Sequence, residues 1–138
     1  MVKLSNLSIK QGNFIDIFTI SHLLSGVWVS IFLELYITKK NIFLWGSLAH
    51  FIYEIKDFCA YYEIIKTPEF LKIIWGKSGG LGSRNSFKNS IGDQVSYSFG
   101  YLIYKFLKEK CKIKFTTKLF VIIFILCNIL YLILIYNF

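Results

Sequence analysis

A few residues in an otherwise apolar chain have the types and spacing to do chemistry. His50, Glu54 and Asp57 stand at i, i+4 and i+7, which puts an imidazole and two carboxylates on one face of a helix. Asn89, Asp93 and Ser96 repeat that spacing, with Gln94 beside them and Gly100 continuing the stripe. His22 and Gly26 form an i, i+4 pair, with Ser25 adjacent. Imidazole beside carboxylate is equipment for general acid–base catalysis or for holding a cation. These groups lie in three separate apolar segments, where an ionisable side chain is costly and by default marks function.

Other chemistries find less support. The run H-F-I-Y-E at 50–54 is H-x-x-x-E, not H-E-x-x-H, and Cys59, Cys111 and Cys127 share no metal-ligand spacing. The sequence therefore assigns no metal and no cofactor, and it reads each cysteine as a free thiol. Residues 75–93, W-G-K-S-G-G-L-G-S-R-N-S-F-K-N-S-I-G-D, contain a G-K-S. A phosphate-binding loop would need a further glycine where Leu71 stands, after a buried strand. Nucleotide binding is rejected. The stretch reads instead as a flexible basic loop, Gly76–Arg84, whose Lys77 and Arg84, with Lys88 just beyond, can donate charge-assisted hydrogen bonds to a phosphate headgroup. Ser90 and Ser96 lie near Asp93, but no nucleophile motif surrounds them.

The elements that must position these groups follow from the apolar pattern. In 138 residues, 55% are hydrophobic and 19% aromatic, and the mean hydropathy is +0.54. A soluble domain of this size cannot bury so much apolar surface. Four segments approach spanning length, at residues 14–37, 42–65, 86–107 and 117–136. The expected fold is all-α: one integral membrane domain over residues 1–138, a multi-pass protein with four transmembrane helices. Between the second and third, Thr67-Pro68 opens a short interfacial helix ending near Trp75, followed by the glycine-rich loop. The fourth segment, F-V-I-I-F-I-L-C-N-I-L-Y-L-I-L-I, is apolar all round and faces lipid, with Asn128 expected as an interhelical contact. The first is too long for a cleavable signal peptide and carries Asp16 and His22. Glu34, close to Lys39 and Lys40, is expected to snorkel to the interface.

The net charge of +8 comes from lysines and a single arginine, Arg84. They gather at segment ends, which suits anionic lipid headgroups and not nucleic acid. They divide almost evenly between the two sides, so the positive-inside rule does not orient the chain. Membrane lipids are the expected partners, alongside a membrane-protein partner or a second copy of the chain. At 1.5 Å rise per residue, His22, Asp93 and Asp57 fall on one level about 10–12 Å deep, with Glu54 one turn deeper and His50 nearer mid-membrane. A polar pocket among the first three helices is the expected site.

Two stretches also resemble known membrane families. Residues 85–103, N-S-F-K-N-S-I-G-D-Q-V-S-Y-S-F-G-Y-L-I, resemble a signature of VanZ-like small membrane proteins. In those, an Asp or Asn and a G-D or G-x-x-x-G pattern open a late transmembrane helix. Residues 49–57, A-H-F-I-Y-E-I-K-D, are similar to the histidine/glutamate helix of a related uncharacterised bacterial family with an N-S-x-G-D segment. The resemblance implies the membrane fold and marks Glu54, Asn89, Gly92 and Asp93, with His50 beside them. VanZ itself is associated with glycopeptide-antibiotic tolerance, and the wider group lacks a settled activity.

The functional expectation is binding, and modification, of a phospholipid or polyprenyl-phosphate headgroup. Asp93 and Glu54 would be the acid/base or cation-holding groups, and His22 or His50 the proton partner. The alternative is a non-enzymatic scaffold, assembly factor or small transport subunit. Transport would need a polar track past Ile31, Phe32 and Leu33.

Overall fold

The structure is a computed structural model describing residue 15, residues 18–61 and residues 87–137, the backbone alone for 57–61 and 134–137. It contains four helices: α1 (Thr19–Tyr36), α2 (Ile42–Tyr61), α3 (Phe87–Glu109) and α4 (Thr117–Asn137). No strand occurs among the described residues. The interfacial helix and loop expected over 66–85 lie outside them, as do Asp16, Lys77 and Arg84.

Helix boundaries lie close to the apolar segments at α3, α4 and the start of α2, while the expected end of the second segment at residue 65 lies outside the described residues. α1 begins later than residue 14. The Phe18 carbonyl accepts from Ser21 N at 2.8 Å, His22 N at 3.2 Å and Ser21 Oγ at 2.6 Å. Those bonds satisfy donors that the first turn leaves without intrahelical acceptors. At its other end, Ile37 N and Thr38 N both donate to the Leu33 carbonyl. Thr38 Oγ1 then bonds both the N–H and the carbonyl of Lys40. Asn41 follows at φ 55°, a left-handed conformation that asparagine tolerates. The tight turn brings α2 back against α1.

α1 packs chiefly on α3. The seam is built from small residues, which lets backbones approach. A Cβ on Gly26 would collide with the Tyr97 carbonyl oxygen and stand 2.9 Å from Gly100 Cα. A Cβ on Gly100 would collide with the Leu23 carbonyl oxygen and stand 2.9 Å from Gly26 Cα. Ser30 Oγ folds back onto Gly26 O, and Ser96 Oγ onto Gly92 O, so both hydroxyls are satisfied within their own helices. Below the seam, Val27, Ile31, Leu33, Tyr104 and Phe115 form an apolar core. Trp28, Phe32 and Tyr36 dock α4 through ring contacts to Phe124 and Phe120.

Two expectations are corrected. Glu34 does not merely snorkel toward Lys39 and Lys40. Its carboxylate accepts from Tyr104 Oη at 2.6 Å and from Lys108 Nζ, clamping α1 to the far end of α3, because its rotamer meets α3 before it meets solvent. Asn128 makes no interhelical bond among the described residues: its Nδ2 donates to the Phe124 carbonyl at 2.7 Å on its own helix.

The clamp carries a prediction. Lys108 is 40% exposed, so Lys108→Ala should cost under about 1 kcal/mol. Glu34→Ala leaves the Tyr104 hydroxyl without its acceptor and should cost about 1–3 kcal/mol. Thermal unfolding in detergent separates the two, and equal losses would contradict this order.

Among the described residues, one helix is long and apolar enough to cross a membrane: α1, with a mean hydropathy of 1.3 over 18 residues. Thr117–Ile133 of α4 is a shorter apolar stretch. α3 owes its lower hydropathy to the polar stripe that builds the site.

Candidate functional site

His22 is presented from the first turn of α1, His50 and Glu54 from one face of α2, and Asp93 and Gln94 from the second turn of α3. His22 Nδ1 lies 2.8 Å from His50 Nε2, a hydrogen bond between the rings. His50 Nδ1 lies 2.8 Å from Gln94 Oε1. Around this line stand the carboxylates. Glu54 Oε1 is 3.6 Å from His22 Nδ1 and 3.7 Å from His50 Nε2, and Asp93 Oδ2 is 3.5 Å from His22 Nε2. Those separations suit ion pairing and are too long for good hydrogen bonds. Water hardly reaches the group: side-chain exposure is 15% for His22 and 5–6% for His50, Glu54 and Asp93.

The surrounding shell is aromatic. The His22 and His50 rings meet edge to face, at 5.0 Å and 89°. Tyr97, 1% exposed, stacks on His50 at 4.5 Å. Gly46, one turn before His50, leaves room for its hydroxyl, since a Cβ there would collide with Tyr97 Oη. Tyr53 flanks both imidazoles at 6.4 and 6.5 Å. Lys56 Nζ sits 3.7 Å from the Tyr53 ring centroid, a cation–π contact that carries positive charge to the edge of the centre.

Such an arrangement can do three things. It can relay a proton among His50, His22 and Asp93, with Gln94 orienting the His50 ring. It can offer imidazole and carboxylate as a paired acid and base. It can also present nitrogen and oxygen donors to a cation.

The structure brings together His22, His50, Glu54 and Asp93. Asn89 is buried on the same face, one turn before Asp93. Asp57 continues the α2 stripe beyond Glu54, but its side chain lies outside the described residues. Lys88 is exposed in the first turn of α3. The expected levels need adjustment. Because α1 starts at Thr19, His22 lies one turn from the helix end, yet it meets Glu54 and His50, the groups expected deeper. Two participants were not among the expected site residues. Gln94 carried a signal, a long amide in an apolar segment. Tyr97 carried none, since one tyrosine among nine reads as core.

No family model, curated protein or solved structure matches the chain, so the VanZ-like resemblance gains no support there and the site is read from its geometry.

Proposed function

We propose that the chain is a multi-pass integral membrane protein of four spans whose His22–His50–Glu54–Asp93 centre binds a phosphate-ester lipid headgroup, of a phospholipid or polyprenyl phosphate, and acts on it as acid and base. The observation that carries this is the inverted distribution of polarity. His50, Glu54, Asn89 and Asp93 are buried, while Leu44, Ile52, Leu102 and Leu126 are more than half exposed. Only 22% of the α1 stretch is buried within the chain, so most of its apolar face needs another cover. Lipid supplies it, and in lipid a buried ionisable cluster is costly enough to imply use.

In this reading Asp93 holds the His22 ring and receives or returns its proton, and Gln94 holds the His50 ring, which exchanges a proton with His22. Glu54 is the second carboxylate. Lys88 waits at the rim, and Lys77 and Arg84 belong to the segment that follows α2. Ile31, fully buried below the centre, favours a closed pocket over a transport path. The competing reading is a scaffold, favoured by the His50–Gln94 bond, which ties α2 to α3 without any ligand.

Headgroup release from liposomes, followed by lipid mass spectrometry, tests the proposal. Asp93→Asn should insert normally yet act at least about 100-fold more slowly, as expected for loss of an acid–base group. Equal turnover in the variant, or no headgroup change with the wild type on any anionic lipid, rejects catalysis. Failure of Asp93→Asn to accumulate, with Asp93→Glu restoring it without activity, supports the scaffold.

A further inference from the structure

We propose that His22 Nδ1, His50 Nε2 and a Glu54 carboxylate oxygen form a binding site for a divalent transition metal ion of the zinc type. The inference rests on the centre alone and does not require the lipid reading. Only the α2 half of this donor set has a sequence spacing; His22 joins from a different helix.

The three donor atoms form a triangle with sides of 2.8, 3.6 and 3.7 Å. A cation about 2.1 Å from each of them, the usual zinc–ligand distance, lies about 0.7 Å out of their plane. A tetrahedral ion sits at that height above three of its ligands. The nitrogen pair must open by about half an ångström to reach ideal tetrahedral spacing, a small rotation of either ring. Two imidazoles and one carboxylate suit zinc-type ions and not magnesium or calcium, which prefer oxygen donors throughout. Three protein ligands leave a fourth position open, as in catalytic zinc sites.

The atoms behind the ligands point the same way. A metal-bound histidine typically donates its other N–H to a carboxylate or carbonyl oxygen, which fixes the ring and its tautomer. Both outer nitrogens here face oxygens: His22 Nε2 faces Asp93 Oδ2 at 3.5 Å, and His50 Nδ1 faces Gln94 Oε1 at 2.8 Å. If both outer nitrogens carry protons, the two inner nitrogens aim lone pairs at each other across 2.8 Å. That pair repels unless a cation lies between, and the adjacent Glu54 oxygen completes its ligand set. The metal-free alternative keeps a proton between the inner nitrogens, on His22 Nδ1 or, with the Gln94 amide turned to donate to His50, on His50 Nε2, and the line becomes a hydrogen-bonded chain with no need of an ion. The experiment chooses between these two.

The full chain carrying Cys111→Ser, to remove the exposed thiol, is purified in detergent, stripped with chelator and exposed to zinc. Elemental analysis after desalting should find one zinc per chain. Glu54→Gln and His50→Gln should each retain at least 10-fold less. Asp93→Asn, which removes an outer partner and no ligand, should keep the stoichiometry and weaken binding about 10–100-fold. Should these variants fail to fold, cobalt loaded into the unaltered site decides. Visible d–d bands of a four-coordinate ion, without a thiolate charge-transfer band, are expected. Zinc below one-tenth per chain with no such cobalt bands overturns the proposal, as does zinc retention unchanged in both ligand variants. Metal binding without headgroup chemistry leaves the site standing and removes the lipid reading; headgroup chemistry in a protein that retains no zinc and gives no cobalt bands does the reverse.

Discussion

Gly100→Leu is expected to cost the protein its assembled fold, and Gly100→Ala to weaken it severely. A Cβ at this position meets backbone on α1: the Leu23 carbonyl oxygen, and Gly26 Cα at 2.9 Å. A side chain in the way can rotate aside, but a carbonyl in a helix moves only with its helix. Overpacking usually costs about 1–3 kcal/mol, and more where rotamers cannot absorb it. Against a total stability of about 5–15 kcal/mol, the alanine should lower the thermal midpoint by several degrees. The leucine should leave little folded protein. The consequence reaches the site, because His22 lies one turn from Gly26 on the same face. Displacing α1 from α3 draws His22 away from Asp93, its 3.5 Å partner. Zinc retention and headgroup chemistry should therefore fall together with stability in Gly100→Ala. Leu102→Ala, at a position 53% exposed on the same helix, should leave all three unchanged. A wild-type midpoint for Gly100→Leu would mean that the helices do not approach as closely as the seam requires.

That seam also marks where the sequence was legible and where it was not. Helix positions were readable because apolar runs and the lysines at segment ends, such as Lys39-Lys40, punctuate the chain locally. The stripes at 50/54/57 and 89/93/96 were readable for the same reason, since one helical period fixes which residues share a face. What the periodicity cannot carry is the rotation of one helix against another. Asp57 was given the level that Glu54 and His50 turn out to share with His22. What the sequence could not supply is the shift of α1 along α2, which sets His22 against His50 and Glu54 although it lies only one turn from the start of α1. Glu34 was misjudged in a similar way. Its sequence neighbours Lys39 and Lys40 were visible, whereas Lys108, 74 positions away, becomes a neighbour only through packing. Gly26 and Gly100 were noticed as members of stripes, but their mutual contact is a property of the α1–α3 crossing. Tyr97 shows the limit most plainly: nothing local separates a tyrosine that floors a site from one that fills a core.

The second large effect falls on His50, and two substitutions there separate packing from polarity. His50→Ala removes the stack on Tyr97, the bond to His22 and the bond to Gln94. It also opens a cavity. Ring stacking contributes about 0.5–1.5 kcal/mol beyond burial, and an interhelical hydrogen bond in a membrane about 0.6 kcal/mol on average. Polar groups left behind in a dry interior add about 1–3 kcal/mol each. A total loss of several kcal/mol is expected, enough to reduce folded yield markedly. His50→Phe keeps the ring and its stack but loses both bonds. If hydrogen bonding dominates, the phenylalanine should be nearly as damaging as the alanine, since Gln94 and His22 lose the same partner in both. If packing dominates, it should recover most of the stability, and the centre would then need no polar reason to exist. The first result is expected, because both bonds are part-buried and cross between helices, and His22 and Gln94 each lose the same 2.8 Å partner in either variant. Zinc sharpens the distinction. Metal at about 100 times its dissociation constant stabilises a binding-competent protein by about 2.7 kcal/mol. That increment should appear in the wild type and vanish in His50→Phe, where one ligand is gone but the fold is spared the cavity. An equal thermal shift in both would place the metal elsewhere on the chain and leave His50 as a structural residue.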